Sequence, residues 1–217
     1  MTPERFDIYD DEQNWIGTSL RSEVHAKGYW HRSFHCWIVR DEGEQRLVLF
    51  QRRRDIKDTF PGCYDITAAG HLTAGEQLQD ASRELEEELG VYTPFEALTY
   101  LLTATQQLQG EVRGVQFIDR EFSAVYGLCL NQPLEAYVLQ PSEVDSLYEV
   151  PLDDLLALFR NEIDVIQATG VQTHPLSDHV AYEPERIVRE IRATDFVPHG
   201  TAYYTDVLEA LHHVPKD

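Results

Sequence analysis

Two adjoining runs, Gly70-His-Leu-Thr-Ala-Gly75-Glu76 and Arg83-Glu84-Leu85-Glu86-Glu87-Glu88-Leu89-Gly90-Val91, are the most informative part of this chain. The first is a glycine-containing loop, and the second predicts a helix over about 77–89. At about 100° per residue, Glu84 and Glu88 lie one turn apart and Glu87 lies beside them. The opposite face carries an apolar stripe, formed by Leu78, Ala81, Leu85 and Leu89.

The three carboxylates on one helix face need a physical reason, because like charges at i,i+4 cost a few tenths of a kcal/mol. A hard divalent cation with oxygen ligands removes that cost and gives the cluster a function. A solvated acidic helix face is the alternative. For the run of glutamates alone, it is the simpler interpretation.

Taken with the loop, the helix resembles the Nudix box, Gly-x5-Glu-x7-Arg-Glu-(aliphatic)-x-Glu-Glu-x-Gly-(aliphatic). This chain has six residues between Glu76 and Arg83, where the family pattern has seven. Since the half from Arg83 to Val91 is intact, the missing residue falls near the start of the helix, where boundaries vary most. The shortened spacing therefore bears on the role of Glu76 more than on the later glutamates.

The resemblance implies an α/β protein with the Nudix fold, a mixed β-sheet sandwiched between α-helices. It also implies a Mg²⁺-dependent hydrolase, with Mn²⁺ as an alternative ion, that cleaves a diphosphate linkage in a nucleoside diphosphate derivative or related small molecule. Glu84 would be a metal ligand and catalytic base, with Glu87 and Glu88 as further ligands. Arg83 would orient Glu84, and the Ala69 carbonyl would add a backbone oxygen.

Nudix proteins often supply one more acidic metal ligand from beyond the box. Asp119 and Glu121 point to one face of a predicted strand because they lie at i,i+2. Glu121 is the candidate for this further ligand, and a surface charge is the alternative.

A finer resemblance, to the isopentenyl-diphosphate isomerase branch, rests on Phe60-Pro61-Gly62 and on the run His25…His31…Trp37. In that branch an Arg and a Lys upstream of the Pro-Gly pair bind the substrate diphosphate, and Arg53 and Lys57 occupy these positions. The branch also holds a metal ion with histidines and acidic residues. This implies a second metal site, formed by His25, His31, His71, Asp119 and Glu121. A basic loop end and hydrogen-bonded structural histidines are the alternatives.

Two departures argue against isomerase activity. The isomerases have a catalytic cysteine immediately before the Gly-His pair, where this chain has Ala69, and a methyl group cannot transfer a proton. The isomerases also lack the metal-binding glutamate after the arginine, whereas Glu84 is present. An isomerase-like enzyme on isoprenyl diphosphates is thus the second hypothesis. A non-catalytic, nucleotide-binding Nudix module is the third, which the retained box glutamates disfavour.

Composition indicates a folded protein that does not bind polyanions. Of the 217 residues, 42% are hydrophobic, which suits a packed core. A formal net charge of −20 disfavours nonspecific binding to nucleic acid and anionic membranes. It does not exclude a small diphosphate substrate that brings its own Mg²⁺, and a homodimer is a further expectation. Three widely spaced cysteines and the absence of an apolar signal region predict a cytoplasmic protein.

Hydrophobic periodicity predicts strands at 6–9, 15–20, 30–39, 47–53, 64–69, 98–107, 115–130 and 147–150, and further helices at 151–159 and 201–213. Residues 1–160 form the predicted Nudix domain. Residues 161–217 carry no recognisable motif and are predicted to be a C-terminal extension packed on the same domain. Substrate identity is beyond the sequence, because loops outside the box select it.

Overall fold

The computed structural model describes residues 3–172 and 184–216, which form a mixed sheet with helices on both faces. The strands are β1 Arg5–Tyr9, β2 Trp15–Leu20, β3 Trp30–Glu42, β4 Gln45–Arg53, β5 Tyr64–Asp65, β6 Ala68–His71, β7 Thr99–Val112, β8 Val115–Cys129, β9 Val144–Pro151, β10 Ile166–Gln172 and β11 Glu185–Ile191. The helices are α1 Arg21–Lys27, α2 Arg83–Leu89, α3 Leu152–Phe159 and α4 Thr201–Leu211. The predicted α/β sandwich is confirmed.

The long strand β3 organises the sheet. It pairs in parallel with β8, and its other edge is shared by β6 and β4, both antiparallel. The order along the main path is β11-β10-β9-β4-β3-β1-β2, with β7 pairing only with β8 among the described strands. β6 pairs with residues 33–36 of β3 in the antiparallel direction, so the glycine loop that follows β6 begins beside the N-terminal end of β3.

Each face of the sheet has its own apolar core. On one face, α2 buries Leu85 and Leu89 completely. On the other face, α3 and α4 pack together, with Val207 and Leu208 fully buried. Burying one such side chain contributes about 1.5–3 kcal/mol. These two contacts fix the helices on opposite sides of the strands that carry the polar residues described below.

The strand predicted at 64–69 is instead two short strands, and the reason is a change of partner. β5 pairs with β4, whereas β6 pairs with β3. Between them the Thr67 hydroxyl bridges both long strands, donating to the Leu49 carbonyl and accepting from the Ile38 amide at 3.0 Å. The Thr67 side chain thus replaces the backbone hydrogen bonds that are lost where the chain changes its partner strand from β4 to β3.

The helix predicted at 77–89 is a 3₁₀ helix, Leu78–Ser82, followed by α2. A 3₁₀ helix rises about 2.0 Å per residue against about 1.5 Å in an α-helix. Five 3₁₀ residues therefore reach about as far as six or seven α-helical ones. This accounts for the box retaining its geometry with one residue fewer between Glu76 and Arg83.

The sequence analysis did not predict helix α1 or strands β10 and β11. Helix α1 has only seven residues, too few for a readable period, and it ends at Gly28 in the left-handed conformation with φ 66°. Strands β10 and β11 extend the sheet beyond β9, and α4 packs on α3. The division of the chain at residue 160 stays a prediction. No helix in the described part of the chain is long and apolar enough to cross a membrane.

Candidate metal and diphosphate site

The loop and the helix of the box meet where Gly70 lies under Glu84. A Cβ atom added at Gly70 would stand 2.1 Å from Cδ and 2.2 Å from Oε1 of Glu84. Only glycine therefore allows the carboxylate to lie against β6. Because side chains alternate along a strand, Ala69 and His71 point away from α2 to the other face. At this position only backbone separates the two faces of the site.

Arg83 holds the box together by contacting three carboxylates. Its Nε lies 2.6 Å from Glu76 Oε1, and its Nη1 lies 2.7 Å from Glu84 Oε1 and 3.0 Å from Glu87 Oε2. Glu76 also accepts a hydrogen bond from the Thr73 amide at 2.8 Å, which ties the loop to the helix. The shortened spacing therefore keeps Glu76 joined to Arg83, and Arg83 is placed to orient Glu84.

Two of the helix carboxylates are buried, and their ionisation is costly. Burial raises the pKa of Glu84 to about 7, with repulsion from Glu87 and Glu76 adding to the effect. Burial likewise raises the pKa of Glu88 to about 8, reinforced by the charge on Glu84. Glu88 accepts hydrogen bonds from Gln51 Nε2 at 3.1 Å and from the Ala69 amide at 3.3 Å.

The donor set on α2 fits a hard divalent cation. Carboxylate oxygens are the ligands that Mg²⁺ and Mn²⁺ prefer. A divalent ion beside Glu84 and Glu88 would stabilise the charged forms that burial disfavours. Glu87 is exposed at the rim of the same cavity, so its carboxylate can turn toward an ion without losing buried contacts.

The cavity beside α2, which we call the outer cavity, has a volume of ≈ 360 Å³. Its wall includes the three helix glutamates and a basic side formed by Arg21, Arg53 and Lys57. Lys57 pairs with Glu143, and its charge partly offsets the burial that raises the pKa of Glu88. A basic side facing an acidic side suits a phosphate group bridged by a cation.

Arg53 has a structural role that the sequence did not indicate. Its Nη1 lies 2.9 Å from Asp65 Oδ2, and its Nη2 donates to the Thr59 carbonyl at 3.0 Å. Asp65 is buried. Arg53 therefore compensates a buried charge as well as lining the outer cavity, whereas Lys57 is the more exposed of the two predicted phosphate-binding residues.

On the other face of β6, four residues from four elements converge. They are His25 on α1, His31 on β3, His71 on β6 and Asp119 on β8. Among the described residues this is the one set of three or more His, Cys, Asp or Glu side chains whose ligand atoms lie within 4.8 Å of one another. Glu84, Glu87 and Glu88 do not form such a set among the described residues, and the Arg83 guanidinium contacts both Glu84 and Glu87.

The chemistry of this set fits a metal ion. Burial lowers the pKa of His25 to about 4 and that of His71 to about 3, so both rings are neutral and can offer a lone pair. Three buried atoms have no hydrogen-bond partner: His25 Nε2, His31 Nε2 and Asp119 Oδ1. Both histidine nitrogens face that oxygen, at 3.7 Å and 3.4 Å. A cation between them would satisfy all three atoms.

Glu121 lies with the histidines and not with the helix glutamates. Its Oε1 is 3.0 Å from His71 Nε2, and its Oε2 accepts from Ser33 Oγ at 2.7 Å. Despite burial, the hydrogen bonds from His35 and His71 hold its pKa well below the ordinary range. The sequence analysis proposed Glu121 both as a further ligand for the box and as a member of the histidine set, and its strand places it with the histidines, on the face of β6 opposite the box glutamates.

A second, inner cavity opens on the histidine side and has a volume of ≈ 60 Å³. It shares Arg53, Ala69, Gly70 and His71 with the outer cavity as a common wall. Two further lining residues, Gln106 and His199, were not singled out from the sequence. His199 lies in a segment without a motif, so no local signal could have identified it.

Comparison with known proteins identifies the class of protein that has this fold and site. Residues 29–168 match the NUDIX domain family. A protein of Clostridium acetobutylicum named an uncharacterized Nudix hydrolase is 38% identical over 211 residues, which cover 97% of this chain and 98% of that protein. This chain therefore belongs to the Nudix hydrolase family.

The comparisons also support the finer resemblance and the fold. An isopentenyl-diphosphate Delta-isomerase of Mycolicibacterium vanbaalenii is 41% identical over 92 residues, covering 42% of this chain and 49% of that protein. A crystal structure from Deinococcus radiodurans superimposes with a TM-score of 0.52 at 21% identity, covering 73% of this chain and 90% of that one. The chain is thus a Nudix hydrolase with similarity to the isomerase branch.

Proposed function

We propose that this Nudix hydrolase cleaves a diphosphate linkage in a small molecule with the help of Mg²⁺ or Mn²⁺. The observation that carries the proposal is the buried Glu84 carboxylate, which lies against Gly70 and opposite a basic cavity wall. Glu84, Glu87 and Glu88 would hold the ion. When bound, the ion neutralises phosphate charge and activates water.

The protein groups then have distinct tasks. Arg83 fixes the Glu84 carboxylate through its 2.7 Å contact, so that Glu84 can act as a ligand and accept a proton from water. Lys57 and Arg53 would bind phosphate oxygens from the opposite wall. One charge-assisted contact of this kind contributes about 1.5–3 kcal/mol to substrate binding.

We also propose a second metal ion at His25, His31, His71 and Asp119, with Glu121 beside it. Neutral imidazoles with carboxylates suit a first-row transition metal such as Mn²⁺. Elemental analysis of the purified protein should find about one equivalent of metal, and His31→Asn should lose it. If the wild-type protein is metal-free and also fails to take up Mn²⁺, the proposed second metal site is wrong and these histidines have a structural role.

A substrate screen tests the proposed activity. Purified protein is incubated with nucleoside diphosphate derivatives and alkyl diphosphates, with Mg²⁺ or with a chelator. We expect release of phosphate or a monophosphate from at least one compound, and none with the chelator. Tight binding of a nucleotide without turnover would instead identify a non-catalytic module.

The same protein should not interconvert isopentenyl and dimethylallyl diphosphates. Ala69 lines both cavities and supplies no group that can transfer a proton. Cys63 is not among the described residues that line either cavity. Interconversion at enzymatic rates would overturn the hydrolase proposal and point to a histidine as the acid.

The setting proposed for this activity is the cytoplasm. All three cysteines are free thiols, which suits a reducing compartment. The proposed partner is a small diphosphate and not a nucleic acid or a membrane, because the net charge is −20. A homodimer is the remaining partner expectation, and size-exclusion chromatography with light scattering tests it.

A further inference from the structure

The inner cavity contains a buried polar group that the proposed chemistry does not use. Gln106 is 8% exposed and lines this cavity. Its Oε1 lies 2.7 Å from His199 Nδ1, while its Nε2 has no hydrogen-bond partner. The unpartnered atoms of the histidine set belong to the candidate metal site. Gln106 Nε2 lies outside that set, and a buried donor without a partner is costly.

A chain of hydrogen bonds fixes the orientation of the Gln106 amide. His199 comes from the C-terminal segment and bridges Gln106 to Asp65, with its Nε2 3.0 Å from Asp65 Oδ1. Asp65 in turn contacts Arg53 at 2.9 Å. Since both ring nitrogens of His199 are engaged, one end of the Gln106 amide is held toward the ring, and the other end is free for a ligand.

The rest of the wall indicates the kind of group that fits. Apolar side chains surround the polar ones, and they are Phe60, Ile66, Leu108 and Val197. A volume of ≈ 60 Å³ holds roughly four to six water-sized groups at about 10–15 Å³ each. A nucleobase with its sugar is too large for this space. A short carbon skeleton fits the apolar wall, and an oxygen on it fits Gln106.

We propose that the inner cavity binds the organic part of the diphosphate substrate, and that this part is a compact group bearing a hydroxyl recognised by Gln106. The inference rests on the proposed hydrolase function and names its substrate class. Because Arg53, Ala69, Gly70 and His71 line both cavities, the two cavities adjoin, and one substrate would place its hydroxyl end in the inner cavity and its phosphates in the outer one. A hydroxyl both accepts and donates hydrogen bonds, so it satisfies either end of the amide.

This substrate class differs from a plain isoprenyl diphosphate. A hydrocarbon group would fill the apolar wall but leave the free end of the Gln106 amide buried and unpaired. Sites built to bond a polar group discriminate strongly against analogues that lack it. Gln106 is therefore a specificity-determining residue, and His199 is a positioning residue that acts through Gln106.

The test compares matched diphosphates in which a hydroxyl replaces a methyl group of similar size. One pair is 3-hydroxy-3-methylbutyl diphosphate and 3,3-dimethylbutyl diphosphate, and the second is 4-hydroxybutyl diphosphate and pentyl diphosphate. We expect kcat/KM for the hydroxylated member to be at least about tenfold higher in one pair. Gln106→Leu should reduce that ratio to about one or below, and His199→Leu should lower it as well.

Gln107→Leu provides the control, because the same substitution then falls on the exposed neighbour on β7. It should leave the ratio unchanged. A wild-type ratio near one in both pairs would overturn the proposal, as would a high ratio that Gln106→Leu leaves intact. Because the kcat/KM ratio is first measured on the wild-type protein, this part of the test does not depend on whether a variant folds.

Binding measured in parallel separates this inference from the hydrolase proposal. Methylenebisphosphonate analogues of the same four compounds cannot be hydrolysed, and calorimetry gives their Kd values. A tenfold binding preference without turnover of any diphosphate would support the hydroxyl site while overturning the proposed hydrolysis. Turnover without any hydroxyl preference would have the opposite meaning.

Discussion

Gly70→Ala tests the box geometry with the smallest available change. The added methyl would lie 2.1 Å from Glu84 Cδ, and ordinary van der Waals contact begins at 3.4 Å. The Glu84 carboxylate must therefore retreat by more than an ångström from β6. The fold should survive, because relief of such overpacking costs about 1–3 kcal/mol.

The expected effect on catalysis is larger than the effect on stability. A misplacement of about 1 Å in a catalytic group costs on the order of 100-fold in rate. We expect kcat/KM for Mg²⁺-dependent hydrolysis to fall by about that factor. The melting temperature should fall by only about 2–4 °C per kcal/mol lost. Steady-state kinetics and thermal unfolding measure the two effects separately.

Gly75→Ala is the matched control in the same loop. Gly75 has φ +84° and nothing within 4 Å of an added Cβ, so alanine there adds backbone strain of about 1–2 kcal/mol without touching Glu84. It should lose stability and keep its activity. Equal activity losses in the two variants, or an active Gly70→Ala protein, would refute the argument that glycine is needed to seat Glu84.

The remaining predictions concern the charges around the site. Arg83→Lys should lower kcat/KM by about 10–100-fold, because the ammonium group of lysine cannot contact Glu76 and Glu84 together as the planar guanidinium does. Unchanged kinetics would show that Arg83 does not position Glu84. Lys57→Met should raise KM by about tenfold or more with little change in unfolding free energy. Arg53→Ala should destabilise the fold by about 3–5 kcal/mol, because it removes the guanidinium that compensates the buried Asp65 charge. Burial alone would raise the pKa of Asp65, but the His199 hydrogen bond and the Arg53 charge lower it to about 2. The ionised Asp65 therefore contributes about 2 kcal/mol to the free energy of unfolding above pH ~4, and this contribution is lost as the pH falls toward 2. The stability gap between wild type and Asp65→Asn should therefore narrow in urea unfolding as the pH falls below 4, and a constant gap would contradict the assignment.

The sequence predicted those parts of the site whose residues are close together in the chain. Glu84, Glu87 and Glu88 are fixed on one side of α2 by helical periodicity alone. The alternation of a strand likewise placed Asp119 and Glu121 on one face. Both inferences need only local geometry, and the structure has both arrangements.

The sequence could not show which face of β6 each group occupies. Glu121 and the box glutamates lie on opposite sides of β6 because β8 pairs with β3 in a register that puts Glu121 beside His31. A long-range pairing of this kind leaves no local pattern in the sequence. Arg53 could be matched to a phosphate-binding position, but its bond to Asp65 depends on how β4 and β5 meet. His199 reaches the site from 134 residues beyond Asp65.

The most direct test of the central claim is the Mg²⁺-dependent turnover of Glu88→Gln beside Glu86→Gln, on whichever diphosphate the screen identifies. Both substitutions replace a glutamate of α2 with its neutral amide, but Glu88 is buried in the cavity wall and Glu86 is exposed. Charge stabilisation by a metal ion is worth several kcal/mol, so we expect Glu88→Gln to lose at least about 100-fold in kcat. Glu86→Gln should retain wild-type activity. Equal activity in both variants, with the fold intact, would contradict the account of a metal-dependent hydrolase built on the box glutamates.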